Sequence, residues 1–190
     1  VLQKEPFLLQ TQGIAGDDLA KGNKKPTESL IWQLMRWHLY NFLERIHNAR
    51  NNALASPLNG VDGKKKGKKK MSDGKLLKWA NELINITVDN WGVPEAAVDL
   101  ESKLNTKSFK SMDDSLFFLL GLAWAMEPEA INWEVVSNGS SYTEKLSNAR
   151  YVISVARRLG ALIFMLPEDI AQGNPKMLKL FLGSLLGLSI

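Results

Sequence analysis

The chain has 190 residues, 45% of them hydrophobic, no cysteine and a formal net charge of +4. That length suits one sizeable core, or one complete domain and part of a second, and the hydrophobic content excludes a disordered chain. The lack of cysteine excludes a disulfide framework and any thiolate metal site, and it fits a reducing cytosol.

The opening "VLQKEPFLLQ" has neither an initiator Met nor a basic-then-apolar signal, so it reads as a boundary inside something longer. An irregular segment follows, with one short helical turn predicted around 17–21. Residues 27–46, "TESLIWQLMRWHLYNFLERI", contain no Gly or Pro and read as a helix. Its polar residues Gln33, Arg36, Tyr40 and Glu44 form one narrow face. Apolar side chains cover most of the rest, more than the 26 preceding residues can bury.

Residues 47–71, "HNARNNALASPLNGVDGKKKGKKKM", are rich in Asn, Gly and Lys and read as a flexible interdomain linker. The run "GKKKGKKK" at 63–70 holds six lysines, and without them the net charge falls from +4 to −2. The basic balance therefore belongs to this linker, and the solvated-linker reading is preferred to a nucleic-acid site. It is no phosphate-binding loop: three residues separate Gly63 from Gly67 where four are needed.

The helical pattern resumes at 72–84, with Leu76, Leu77, Ala80, Leu83 and Ile84 inward and Lys75, Lys78 and Glu82 toward solvent. A looser stretch leads to "DDSLFFLLGLAWAMEP" at 113–128, apolar almost all round, which predicts a buried central helix. Residues 143–160 form the next predicted helix, opening on a Thr cap with Leu146, Ala149, Ile153 and Ala156 on one face. Trp32, Trp79, Trp124 and Trp133 fall within apolar stripes and are expected in the core. The most apolar tract, 178–190, is 13 residues long, short of the ~20 that span a bilayer, so no membrane segment is expected. No stretch alternates as a strand does, and the class is all-α.

One motif occurs twice: "DDLAKGNKK" at 17–25 and "EDIAQGNPK" at 168–176, offset by 151 positions. In the second copy Pro167 opens a short helix, the acids meet its free amides, Gly173 ends it in the left-handed region, and Asn174 caps the next helix. In the first copy Asn23 keeps the cap, and Thr27 offers an alternative one. The motif reads as a helix-to-helix hinge rather than a metal loop, since its acids do not alternate as calcium ligands do. Each copy precedes a long apolar helix, which suggests two related domains, the first represented by its end.

Catalysis lacks its parts. His38 and His47 lie nine residues apart on one helix, on opposite faces, and no nucleophile elbow is present. Asp113 and Asp114 sit where a helix cap belongs. No enzymatic activity, no metal site and no cofactor are expected.

Several segments together resemble the calponin-homology domains of the fimbrin (plastin) family. "LIWQLMRWHLYNFLE" (30–44) is similar to the last helix of the third domain, and "LLKWANELI" (76–84) to the first helix of a calponin-homology domain. "INWEVV" (131–136) and "NARYVISVARRLGALIFMLPEDIAQGNPKM" (148–177) match the fourth domain in order. The resemblance covers roughly 6–46 and 72–190; the lysine-rich insert and the missing core of the third domain depart from it.

The resemblance implies a calponin-homology fold of four main helices plus short connecting helices over 72–190. Residues 1–46 would be the terminal segment of a truncated leading domain. It also implies F-actin binding, within a protein that bundles filaments in the cytoplasmic actin cytoskeleton and pairs its domains intramolecularly. In such pairs actin faces the first and last helices of the leading domain and the first helix of the trailing one. Two of these three segments are here, 27–46 and 72–87, so weak binding is expected. The candidate contact residues are Gln33, Arg36 and Tyr40 on the first and Lys75, Lys78 and Glu82 on the second, where lysines suit actin's acidic surface. The alternative is a non-catalytic interaction domain that docks on partner domains or on microtubules.

Overall fold

The computed structural model describes residues 9–54, 71–109 and 115–188; every described element is helical or irregular. The chain divides into two compact units, Val1–Lys70 and Met71–Ile190. The linker's lysine run and Asp113–Asp114 lie outside the described residues.

The first unit holds helices α1 (Gly16–Ala20) and α2 (Lys24–Leu54), packed on each other. Sequence placed the start of α2 at 27 and its end at 46; the helix begins three residues earlier and runs eight further. Thr27 does not cap it. The Thr27 hydroxyl donates to the Asn23 carbonyl at 2.8 Å from inside the first turn. Pro26 is tolerated there because amides of the first turn have no intrahelical acceptor. At the far end the Asn-rich composition suggested a linker, but no Gly or Pro interrupts 47–54, and the first breaker is Pro57.

The second unit is built on α3 (Asp73–Trp91), α4 (Ser115–Met126), α5 (Tyr142–Arg158), α6 (Pro167–Ala171) and α7 (Pro175–Leu186). Three 3₁₀ segments, Glu95–Lys103, Pro128–Ala130 and Trp133–Val135, connect them. The predicted central helix is α4: every residue over 116–124 is buried, and it packs on α3, α5, α6 and α7. Gly121 permits that crowding. A Cβ there would stand 3.1 Å from Leu104 Cδ2, tighter than most packed side chains accept, and in ordinary contact with Ile84 Cδ1 at 3.6 Å.

Polar clasps fix the connections around this core. The Asn81 side chain donates to the Thr106 carbonyl at 2.7 Å and accepts the Thr106 amide at 3.1 Å, tying the loop after the first 3₁₀ segment to α3. Buried Asn148 does the same for Ser137, donating to its carbonyl at 2.8 Å and accepting its amide at 3.1 Å. Reciprocal pairs of this kind satisfy amide groups that burial would otherwise leave unbonded. Of the tryptophans expected inside, Trp79, Trp124 and Trp133 are buried, the last two meeting edge to face at 6.4 Å, while Trp32 is half-buried.

The cap of α5 is Ser141, not Thr143. Its hydroxyl accepts the Glu144 amide at 3.2 Å while the Glu144 carboxylate takes the Ser141 amide at 3.3 Å, a capping box. The same carboxylate also accepts the Ser140 amide at 2.8 Å and hydroxyl at 2.9 Å. The Ser140 hydroxyl, then the Ser141 amide, hold this carboxyl below its ordinary 4.5.

Candidate functional site

The two copies of the repeated motif adopt one structure, atom for atom, and the second acid is its hub. Asp18 Oδ2 accepts the Ala15 amide at 3.1 Å, and Asp169 Oδ2 accepts the Leu166 amide at 3.0 Å. Asp18 Oδ1 takes the Asn23 side-chain amide at 2.7 Å, and Asp169 Oδ1 that of Asn174 at 2.9 Å. The backbone amides of Asn23 and Asn174 return to the carbonyls of Asp18 and Asp169, both at 2.8 Å. Gly22 and Gly173 sit at φ of 69° and 66°, a conformation that costs a side chain energy and glycine little. Both carboxylate oxygens are thus occupied by the chain itself. The motif is a hinge and offers no free ligand set.

The candidate binding residues lie on two stripes with the same spacing. Gln33, Arg36 and Tyr40 occupy i, i+3 and i+7 on α2; Lys75, Lys78 and Glu82 do so on α3. Such a spacing keeps each trio on one helix face. The two trios belong to different units.

On α2 the trio divides. Gln33 is taken up by structure: its side-chain amide donates to the Gln10 carbonyl at 2.9 Å and its oxygen accepts the Gln10 amide at 2.8 Å. It pins the segment ahead of α1, beside buried Leu9, onto the helix. Arg36 is exposed, and its guanidinium lies 5.1 Å from the centroid of half-buried Tyr40, a cation–π pair that presents a charge on an ordered ring.

On α3 the predicted inward residues Leu76, Leu77, Ala80 and Ile84 are buried, joined by Trp79 and Thr87, and Leu83 is half-buried. Lys78 and Glu82 are exposed and pair at 3.6 Å, while Lys75 is half-buried. An exposed pair at this distance contributes little to stability, about 0.3–0.5 kcal/mol. Both charges therefore remain open to a partner.

Sequence reasoning passed over three features here. Ile86, one turn beyond Glu82, carries an exposed aliphatic on the same stripe, and Trp91 is 73% exposed at the end of α3. Helical spacing from Glu82 signals the first; the glycine that stops the helix at 92 signals the second. The third is Lys179 on α7, which pairs with Asp73 at 2.5 Å in the first turn of α3 and lies 5.3 Å from the Phe109 ring. That contact, partly shielded from solvent, ties α7 to the first turn of α3, which Ser72 caps by accepting the Lys75 amide at 3.4 Å, and a 106-residue separation hides it from any local pattern. Among the described residues no group of three or more His, Cys, Asp or Glu side chains could hold a metal ion.

The family model of the calponin homology domain matches residues 70–189. The chain belongs to the calponin homology domain family. Within it, the sequence is similar to fimbrins and plastins, as the residues had suggested. It is 36% identical over 173 residues to Fimbrin-3 of Arabidopsis thaliana, covering 91% of this chain and 20% of that protein. To human Plastin-3 it is 30% identical over 187 residues, 98% of this chain and 25% of the relative. The chain therefore spans about a fifth to a quarter of the length of the curated relatives it matches. Among solved structures, the actin-crosslinking core of Schizosaccharomyces pombe fimbrin superposes with a TM-score of 0.63 at 27% identity, covering 94% of this chain and 30% of that one. Among the described residues no helix is long and apolar enough to cross a membrane.

Proposed function

We propose that the chain is an F-actin-binding module of a fimbrin-like protein that cross-links filaments. The observation that carries this reading is the superposition on an actin-crosslinking core over 94% of the chain, together with identities of 30% or more to fimbrins and plastins over nearly all of it. On this reading residues 72–190 are a complete calponin-homology domain, and 1–46 are the end of a leading one. The shared hinge supports that division, because two related domains would end on the same turn. The partners are F-actin and further calponin-homology domains of the same protein, and the place of action is the cytoplasmic actin cytoskeleton. The module works by holding rather than by chemistry: neither trio joins a base to a nucleophile.

Of the six residues selected, the geometry favours Arg36, Tyr40, Lys75, Lys78 and Glu82 as contacts and gives Gln33 a positioning role. Lysines on an ordered helix suit an acidic filament surface, where complementary charge speeds encounter and fixes register. The microtubule alternative gains no support, since the relatives and the solved structure described above are fimbrins or plastins. High-speed pelleting of the chain with F-actin tests the proposal. Binding that weakens steadily as salt rises is expected; a chain that stays in the supernatant at low salt contradicts it.

A further inference from the structure

All three arginines beyond residue 70 stand on the outer side of α5. Arg150, Arg157 and Arg158 are exposed, with Arg157 two helical turns beyond Arg150. The connection that follows carries a different chemistry. Ala161, Ile163 and Met165 are buried, and between and after them Leu162, Phe164 and Leu166 are 72%, 75% and 65% exposed, a patch rather than scattered surface residues. Arg157 joins the two regions: its guanidinium donates to the Ile163 carbonyl at 3.3 Å. That bond sets a cation beside the apolar side chains and leaves the guanidinium further N–H donors for a ligand. Of the acids that flank this face along the chain, Glu144 is taken up by Ser140 and Ser141, and Asp169 by Leu166 and Asn174. The opposing charge is half-buried Glu168.

Exposure and charge together identify the partner. A side chain lying in a groove loses surface to the groove's walls, whereas Leu162 and Phe164 stand clear of the protein, so their partner is one that closes round them. The boundary between headgroups and acyl chains of a bilayer does so, and it takes up leucine and phenylalanine beside basic side chains. An anionic leaflet adds attraction for arginines held near it. We propose that Arg150, Arg157 and Arg158 with Leu162, Phe164 and Leu166 form a docking face for an anionic membrane surface. The arginines meet lipid phosphates while the three apolar side chains enter the interface. Such binding is peripheral and reversible, since three side chains bury far less apolar surface than a spanning helix. Actin binding plays no part in this inference.

Flotation of the whole chain with vesicles tests it, once the six lysines of 63–70 are replaced by Gln, because that run would attract any anionic leaflet by itself. The Gln-substituted chain should bind vesicles of equal parts phosphatidylcholine and phosphatidylserine and ignore phosphatidylcholine alone. In that background Arg157→Gln and Arg158→Gln should each weaken binding about fivefold. Phe164→Ser should weaken it about tenfold, and Glu168→Gln should strengthen it, with melting curves unchanged. The absence of cysteine lets a single polarity-sensitive dye report insertion: attached at Phe164→Cys it should shift to the blue on the anionic vesicles, and at Ile86→Cys on α3 it should not. A Gln-substituted chain that never floats with the anionic vesicles overturns the proposal. So does equal binding to neutral vesicles, or a dye shift at Ile86 alone. A chain that ignores vesicles, while Arg157→Gln and Arg158→Gln weaken its pelleting with F-actin, assigns the face to the filament and equally overturns membrane docking.

Discussion

Helices α2 and α7 leave matching hinges, yet α7, with 12 residues, buries Leu178, Phe181, Leu182, Leu185 and Leu186, whereas α2, with 31, buries Leu43 alone among its described side chains. α7 turns apolar at Met177, whereas α2 carries Lys24, Lys25, Thr27 and Glu28 before its apolar run begins at Leu30. The hinge is local: an aspartate, a glycine and an asparagine within six positions close their own hydrogen bonds, so each copy forms the same way. Burial is not local. It needs other elements, and α7 has α3, α4 and α6 of its own unit against it. Within the first unit, α1 and the Gln10 clasp are what the described residues set against α2. Apolar side chains therefore make a core on one helix and open faces, including exposed Ile31 and Phe42, on the other.

The contrast predicts unequal mutational costs. Phe181→Ala should destabilise the second unit by about 3–5 kcal/mol through the cavity it leaves. Ile31→Ala should shift stability by no more than about 0.5 kcal/mol, as exposed positions do. Thermal or urea unfolding of both variants compares them directly; similar losses would erase the distinction between the helices. The hinge itself should behave alike in both copies. Asp18→Ala and Asp169→Ala each remove two caps, at about 1 kcal/mol each by the usual value of a cap. Hydrogen exchange at Asn23 and Asn174 reads the local effect, and a loss confined to one copy would show that their equivalence is only geometrical.

A smaller effect follows from Glu144. Its carboxyl is held below its ordinary 4.5 in the folded chain, so its charge stabilises the fold above that value. The contribution disappears as pH falls through the lower folded value. Glu144→Gln should therefore melt below the parent at neutral pH and converge with it in acid. A difference that persists unchanged in acid would assign the effect to shape rather than charge. Smallest in stability is Lys78→Ala, at about 0.3–0.5 kcal/mol from its exposed pair with Glu82, so any larger loss in filament binding separates contact from folding.

What the sequence revealed follows the same line between local and distant. The hinge, the buried α4 and the inward face of α3 were legible because Pro, Gly, Asn and helical periodicity act over a few residues. The Ser141 cap was legible too, through Ser141 and Glu144 in capping-box spacing, but Thr143 offered a competing hydroxyl two positions on. The end of α2 was misplaced by composition: asparagines suggested a linker where no breaker stood. Gln33 illustrates the harder case. Its spacing with Arg36 and Tyr40 puts it on one helix face with them, and its side chain clasps the backbone of a residue 23 positions away. No periodicity encodes such a clasp, nor the Lys179–Asp73 contact between α7 and α3.

We propose, as the central point of the account, that the outward stripe of α3 meets the filament. Its most direct test is pelleting with F-actin of the chain carrying Lys75→Glu and Lys78→Glu, measured beside the parent at matched salt with melting curves for both. The account predicts that the parent pellets and the variant, melting at nearly the same temperature, stays in the supernatant. Equal pelleting of the two chains would contradict it.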